Sequence, residues 1–250
     1  QKREHLMRIA RGEIRWCQGY SEPGAGSDLA SLSTKATDCG DAFIINGQKV
    51  WTSHADKSDW IFSLVRTNTE GKKQEGITFI LIDMETPGVS VRPIELISGA
   101  SPFCEVFFED VKVPKCNVVS EVHKGWTVAK ALLGYERSVI GRAMGSQMSD
   151  AEDQLIACAR RHLDDATGAL SDPYMRHEIA KVGMDEQCFA LTLNRIQQAR
   201  KGGRAPGPES SVVKLFGSRL KQRWWELSAQ IAGAQALGWD GPGFEEEDLN

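Results

Sequence analysis

Hydrophobic and polar residues change their spacing near the middle of the chain. Up to about residue 117, short apolar runs rich in β-branched and aromatic residues are separated by polar and turn residues. From about Val119 onward, apolar residues such as Trp126, Ala129 and Leu133 recur at helical spacing. The pattern therefore predicts a β-domain followed by a helical domain.

Turn residues set the expected order of the strands. Asn46-Gly47 separates the runs at residues 42–46 and 48–53, and this dipeptide is a strong hairpin signal, so the two runs are predicted to pair as antiparallel strands. Residues 68–76 are polar and predict an exposed loop, and Pro87-Gly88 predicts a turn. Several strands joined in this way indicate an antiparallel β-barrel or sandwich.

The second half predicts a bundle of three helices that run up and down. The first helix extends from Trp126 towards His162. The second begins at Ser171-Asp172-Pro173, where Ser or Asp caps the helix and proline fits its first turn, and it ends at Gly202-Gly203. The third begins after Pro206 and continues the apolar spacing. The fold class is therefore α+β with more than one domain.

Composition and charge fit a globular protein with a sizeable core. The chain has 250 residues, of which 41% are hydrophobic and 26% are charged, and its formal net charge is -4. This charge disfavours nucleic acid as a partner, and no apolar run approaches the roughly 20 residues that span a bilayer. The six cysteines form no C-x-x-C pair and the histidines form no H-E-x-x-H motif. We therefore expect reduced thiols, no metal site and a cytoplasmic location, or the mitochondrial matrix in a eukaryote.

A glycine-rich stretch at residues 21–28, Ser-Glu-Pro-Gly-Ala-Gly-Ser-Asp, is the first candidate for chemistry. Glycine has no Cβ, so the backbone can turn sharply and approach a ligand here, and free N–H groups in such a turn can bind a pyrophosphate. The stretch is neither a P-loop nor a G-x-G-x-x-G motif. Taken alone, it fits equally well an ordinary turn in which Ser27 or Asp28 caps the backbone.

Three sequence blocks together resemble the middle domain of acyl-CoA dehydrogenases. They are residues 16–28, which include the glycine-rich stretch, residues 45–53 (Ile-Asn-Gly-Gln-Lys-Val-Trp-Thr-Ser) and residues 105–114 (Glu-Val-Phe-Phe-Glu-Asp-Val-Lys-Val-Pro). The order of the blocks, their spacing and their residues all resemble those of the family, most strongly between Ile14 and Arg142. The resemblance implies three parts: the end of an otherwise absent N-terminal helical domain at 1–12, the β-domain at 13–120 and an incomplete helical bundle at 121–250.

The resemblance further implies that the first two blocks lie along an FAD cofactor. Contacts near the isoalloxazine ring would come from Gln18, Gly19, Tyr20, Ser21, Trp51, Thr52 and Ser53. Gly26 and Ser27 would lie near the ribityl-pyrophosphate, and Ser53 keeps a hydroxyl that can donate to flavin N5. Gln230 and Gly233 resemble an FAD contact that is made across subunits.

A glutamate base is the second implication of the resemblance. It would be Glu136, in Leu133-Gly-Tyr-Glu-Arg, or a glutamate from a loop nearer the C-terminus. Arg137 and Ser27 match positions that contact the acyl-CoA substrate. From the residues alone, Glu136 and Arg137 would be a solvated ion pair. In the implied reaction the base removes the α-proton of a thioester and a hydride passes from the β-carbon to flavin N5.

One segment departs from the family, and three functions remain open. In the family, the helix after the base position usually leads to an Arg-Lys-x-Phe-Gly motif, which contacts the FAD of a neighbouring subunit. This sequence has Arg160-Arg161-His162 in the equivalent stretch instead. The resemblance implies an acyl-CoA substrate, electron-transfer flavoprotein as the electron acceptor and a homodimer or homotetramer. The alternatives are a flavin oxidase or monooxygenase on the same fold, and a catalytically silent flavin-binding subunit that pairs with an active partner.

Overall fold

The computed structural model describes residues 2–147, 151–163, 170–203 and 209–238. The chain divides into two compact units, Gln1–Leu132 and Leu133–Asn250. All of the strands lie in the first unit, whereas the described residues of the second unit are mainly helical. This division follows the change of spacing that the sequence shows.

The first unit begins with helix α1 (Lys2–Ala10), and its described residues form seven strands in one sheet. The strands are β1 (Trp16–Gly19), β2 (Lys35–Asp38), β3 (Ala42–Ser53), β4 (Trp60–Arg66), β5 (Ile77–Asp83), β6 (Val89–Ile94) and β7 (Phe103–Pro114). Their order is β1-β4-β2-β3-β7-β6, and β5 pairs with β4. Most pairs are antiparallel, which confirms the predicted β-domain, but β1 and β4 run parallel and β2 meets β4 only at Lys35 and Arg66.

An apolar cluster fills the inside of this sheet. Its largest fully buried members come from strands β3, β4, β5 and β7, and they include Phe43, Ile45, Ile61, Ile80, Ile82 and Phe108. Residues that alternate along a strand face opposite sides, so these positions define the inner face. The other side of the sheet is also partly buried, as at Leu64 and Phe79, whereas Trp51 and Ser53 at the end of β3 are exposed.

The predicted hairpin at Asn46-Gly47 is wrong, because β3 is one continuous strand of 12 residues. Gly47 lies at a β-bulge with φ of 150°, and a Cβ there would come within 2.7 Å of the Thr34 Cα. Asn46 Nδ2 donates to Asp110 Oδ1 at 2.9 Å, and the Asp110 amide donates to Asn46 Oδ1 at 2.9 Å. Both residues therefore serve long-range packing rather than a local turn.

Four helices account for most of the rest: α2 (Gly125–Gln147), α3 (Ala151–Leu163), α4 (Pro173–Lys201) and α5 (Glu209–Ala232). The single helix predicted from Trp126 to His162 corresponds to α2 and α3, and residues 148–150 lie outside the described part. Asp172 Oδ1 accepts hydrogen bonds from the Tyr174 and Met175 amides at 2.8 and 3.3 Å, which confirms the predicted N-terminal cap of α4.

The second unit has its own apolar core between α3, α4 and α5. The buried members are Leu155, Ala159, Met175, Ile179, Val182, Phe189, Val213, Leu220, Leu227 and Ile231. The spacing of these residues along each helix is the helical spacing on which the prediction of a bundle rested. None of the helices that the structure describes is long and apolar enough to span a bilayer.

Candidate active site

The glycine-rich stretch forms a tight loop directly after β1, which we call the 21–28 loop. The Glu22 amide donates to the Ala25 carbonyl oxygen, and the Ala25 amide donates back to that of Glu22, both at 3.0 Å. The Val50 amide of β3 donates to the Ser21 carbonyl oxygen at 2.9 Å. The loop is therefore fixed against the strand that continues into Trp51, as the pairing of the two sequence blocks implies.

The tip of the 21–28 loop offers an open backbone surface. Gly24 and Gly26 are exposed, and a Cβ added at either would have no heavy atom within 4 Å. Within the described residues, the amides of Gly24, Gly26 and Ser27 donate to no acceptor. Unused N–H groups on a backbone without side chains are suited to bind a phosphate oxygen. These residues therefore fit the pyrophosphate of a nucleotide cofactor.

A buried ion pair, which the sequence analysis missed, supports the loop from below. Lys49 Nζ lies 2.7 Å from Glu22 Oε1, and the two side chains are 0% and 4% exposed. Lys49 Nζ also donates to the carbonyl oxygens of Tyr20 and Leu64, at 3.3 and 2.7 Å. All three ammonium hydrogens thus have acceptors, as a buried charge requires.

Glu22 also binds the backbone beyond the loop, at Ser33 and Thr34. Its carboxylate accepts hydrogen bonds from the Ser33 amide at 2.6 Å, the Ser33 hydroxyl at 2.9 Å and the Thr34 amide at 3.0 Å. Burial by itself raises the pKa of Glu22, but the charge of Lys49 and these donors outweigh burial and lower the pKa to about 2. Burial lowers the pKa of Lys49 to about 8, against the attraction of Glu22. The pair is therefore charged at neutral pH.

The Trp51–Ser53 segment at the end of β3 presents two side chains outward. Trp51 lies within a bulge between Lys49 and Thr52, has φ of 60° and is 57% exposed, with its ring 6.0 Å edge-on from that of Phe103. A bulky residue in the left-handed region costs about 1–2 kcal/mol, and such strain is concentrated at ligand sites. Ser53 is also exposed, whereas Thr52 is buried and its Oγ1 has no hydrogen-bond partner among the described residues.

The strand before the loop contributes backbone rather than side chains. Gly19 is buried, and a Cβ there would lie 2.7 Å from Ile61 Cδ1, so strand packing alone explains this glycine. The buried Tyr20 ring lies edge-on to Phe62 and Phe79, at 6.1 and 6.3 Å between ring centroids. Gln18 is half-buried. Among the residues predicted near the flavin ring, the outward side chains are thus mainly those of Trp51 and Ser53.

The remaining predicted site residues belong to the second unit. Glu136 is half-buried, and its Oε2 is fully buried and accepts no hydrogen bond from the residues that the structure describes. The side chain of Arg137 lies outside the described residues. Gln230 and Gly233 are exposed near the end of α5, and Gly233 has φ of 56°. Carboxylate oxygens that are buried without a donor are rare, so Glu136 stands out as a candidate base.

Comparison with known families decides the assignment. Residues 17–111 match the family described as acyl-CoA dehydrogenase, middle domain, and residues 123–246 match acyl-CoA dehydrogenase, C-terminal domain. The chain belongs to the acyl-CoA dehydrogenase family. Members of this family are flavoprotein oxidoreductases, so the resemblance predicted from the three sequence blocks is confirmed.

Several acyl-CoA dehydrogenases are similar over nearly the whole chain. FadE34 of Mycobacterium tuberculosis is 41% identical, and the match covers 91% of this chain and 31% of FadE34. IpdE1 of the same organism is 37% identical, and the match covers 98% of this chain and 62% of IpdE1. The solved Tcur3481-Tcur3483 steroid ACAD is 30% identical with a TM-score of 0.89, covering 100% of this chain and 64% of that chain. The ChsE4-ChsE5 complex from Mycobacterium tuberculosis is 29% identical with a TM-score of 0.82, covering 100% and 64%. The chain thus spans less than two thirds of the length of these relatives.

Proposed function

We propose that this chain carries out FAD-dependent α,β-dehydrogenation of an acyl-CoA thioester. One observation carries the proposal: an exposed loop with unused amides, at Gly24, Gly26 and Ser27, is hydrogen-bonded to the strand that presents Trp51 and Ser53. A dinucleotide flavin needs both an anion cradle and a surface for its ring. The two features lie side by side in the first unit, and the family membership supports the same cofactor.

Each proposed group has a defined task. The amides of Gly24, Gly26 and Ser27 would hold phosphate oxygens, the exposed Trp51 ring would contact the flavin ring, and the exposed Ser53 hydroxyl would donate a hydrogen bond to it. FAD, when bound, accepts the hydride from the substrate β-carbon. Glu136 takes the α-proton, because its buried Oε2 has lone pairs that no described donor occupies. Arg137 and Ser27 contact the acyl-CoA.

The proposed substrates are thioesters of bulky, polycyclic acids of the steroid class. The support comes from a relative, the Tcur3481-Tcur3483 steroid ACAD, which is 30% identical over all of this chain. We propose a flavoprotein electron acceptor and a cytoplasmic location for the reaction.

Anaerobic mixing of the FAD-loaded protein with acyl-CoA thioesters tests the reaction. The panel contains short straight-chain, long straight-chain and steroid-side-chain thioesters, and the readout is bleaching of the oxidised-flavin absorbance. We expect bleaching with the steroid thioester and no bleaching in the Glu136→Gln variant, which should still bind FAD. Wild-type turnover in Glu136→Gln would exclude Glu136 as the base, and bleaching only with straight chains would exclude the substrate class. Rapid reoxidation in air with peroxide formation would favour an oxidase instead.

A second candidate is a subunit that binds flavin but needs an active partner. Two similar solved structures, Tcur3481-Tcur3483 and the ChsE4-ChsE5 complex, are each named for two proteins. In that case the chain would bind FAD and thioester but would leave the flavin oxidised until a partner acyl-CoA dehydrogenase subunit is added. Bleaching by the purified chain alone would refute this candidate.

A further inference from the structure

The half-buried side chain of Arg66, at the end of β4, binds the backbone just beyond the 21–28 loop. Its Nη2 donates to the carbonyl oxygens of Ala30 and Leu32, at 2.6 and 3.2 Å, and its Nε donates to Leu32 at 3.3 Å. Its Nη1 donates to the carbonyl oxygen of Lys73. The Arg66 amide donates to the Thr34 carbonyl oxygen at 2.7 Å. Within the described residues Arg66 forms no ion pair, and its guanidinium group donates only to backbone carbonyl oxygens.

The other end of the same segment is held by the buried Glu22–Lys49 pair. Lys49 binds the Tyr20 carbonyl oxygen, directly before the loop, and Glu22 reaches forward to the Ser33 and Thr34 amides. Cationic side chains therefore hold the backbone before the loop and after it. Between the two attachments, Gly24 and Gly26 are exposed with unused amides.

We infer that Arg66 is a positioning residue for the cofactor: together with the Glu22–Lys49 pair, it holds residues 21–32 in the conformation that aims the loop amides at phosphate. The inference rests on the proposed function for the identity of the ligand. Glycine-containing loops have many unfolded conformations, and a loop that is already ordered binds its ligand with less loss of entropy. Arg66 touches neither the loop tip nor Trp51 in the hydrogen bonds described, so it acts through the loop.

Arginine is suited to this task because its planar guanidinium has five N–H donors in a fixed fork. At Arg66 it satisfies the carbonyl oxygens of three residues at once. A lysine at this position has the charge but lacks the fork, so it can replace only some of the contacts. A methionine has a similar length and replaces none. The two substitutions therefore separate charge from geometry.

FAD binding to Arg66→Met, Arg66→Lys and Arg92→Met tests the inference. Arg92 is the matched control, because its side chain is 73% exposed and lies 3.9 Å from Glu105 on the far edge of the sheet. We expect Arg66→Met to weaken FAD affinity about tenfold through faster dissociation and to alter the visible circular dichroism of the bound flavin. Arg66→Lys should lie between Arg66→Met and the wild type, and Arg92→Met should match the wild type.

Hydrogen exchange in the flavin-free proteins keeps this inference separate from the proposed function. The hydrogen-bonded amides of this segment, those of Ala25, Ser31 and Leu32, should exchange faster in Arg66→Met than in the wild type, even if the wild type binds no flavin and the proposed function fails. Wild-type exchange in this segment, or wild-type FAD affinity in a folded Arg66→Met protein, would overturn the inference. Should Arg66→Met fail to fold, Arg66→Lys decides: an intermediate affinity supports the positioning role, and an unchanged affinity and spectrum contradict it.

Discussion

Replacing Lys49 by Met removes the positive charge of the Glu22–Lys49 pair, the most buried of the ion pairs that the structure describes in the first unit. Glu22 then keeps its three backbone and hydroxyl donors at Ser33 and Thr34 but loses its counter-charge, in a place where its side chain is 4% exposed. Removing one partner of a buried pair typically lowers the free energy of unfolding by about 3–5 kcal/mol. That is a large part of the roughly 5–15 kcal/mol that stabilises a typical domain.

Urea unfolding, followed by circular dichroism of the flavin-free protein, measures this change. With a slope of about 1–3 kcal/mol per molar urea, the midpoint should fall by roughly 1–5 M. Lys73→Met is the matched control, because Lys73 lies 3.0 Å from Asp28 but the two side chains are 62% and 64% exposed. Solvent screens such a pair, so the control should unfold close to the wild type.

A double substitution separates the pair from its surroundings. In Glu22→Gln with Lys49→Met neither charge remains, so no unpaired charge is buried and the loss of stability should be smaller than the sum of the two single losses. The reasoning is refuted if Lys49→Met and Lys73→Met unfold at the same urea concentration, or if the double variant shows the full sum of the single effects.

Three further predictions concern protonation, the loop tip and a helix end. The folded-state pKa of Glu22, about 2, lies below its ordinary value of 4.5. The ionised carboxylate therefore contributes about 3 kcal/mol to the free energy of unfolding above pH 4.5, and this contribution is lost as the pH falls towards 2. When the free energy of unfolding is measured against pH, it should fall less steeply over this range in Glu22→Gln than in the wild type. Gly26→Ala should unfold like the wild type, since its Cβ meets nothing within 4 Å, yet bind FAD about tenfold more weakly; unchanged FAD affinity would mean that no ligand approaches this glycine. Asp172→Ala should lower the free energy of unfolding of the helical unit by about 1 kcal/mol through loss of the α4 cap, measured by thermal unfolding, and an unchanged transition would contradict the capping role.

Local signals predicted the elements well where local chemistry decides them. The helical spacing after Val119 gave the helical unit, and the Asp172 cap lies where Ser171-Asp172-Pro173 places it. Asn46-Gly47 misled because contacts distant in sequence, Gly47 with Thr34 and Asn46 with Asp110, override the turn preference of the dipeptide. Tertiary packing commonly overrides local preference in this way.

The candidate site was predictable in its loop but not in what supports the loop. Residues 21–28 and the Trp51–Ser53 segment could be recognised from the sequence, because the order of residues in each closely resembles that of the acyl-CoA dehydrogenase middle domain. Glu22 and Lys49 are 27 residues apart, and nothing local indicates that they meet. One signal was present: Lys49 occupies an inward position of β3, where a charged residue needs a buried partner. Arg66 at the end of β4 gives a similar but weaker indication.

Titration of FAD into the flavin-free protein, followed by quenching of flavin fluorescence, shows whether the 21–28 loop and the Trp51–Ser53 segment together hold a flavin. We expect saturable, equimolar binding in the wild type. This binding should compete with ADP, which shares the pyrophosphate, and should be weakened by Gly26→Ala without loss of fold. The absence of saturable binding by the folded protein, or binding that neither ADP nor Gly26→Ala affects, would contradict this expectation.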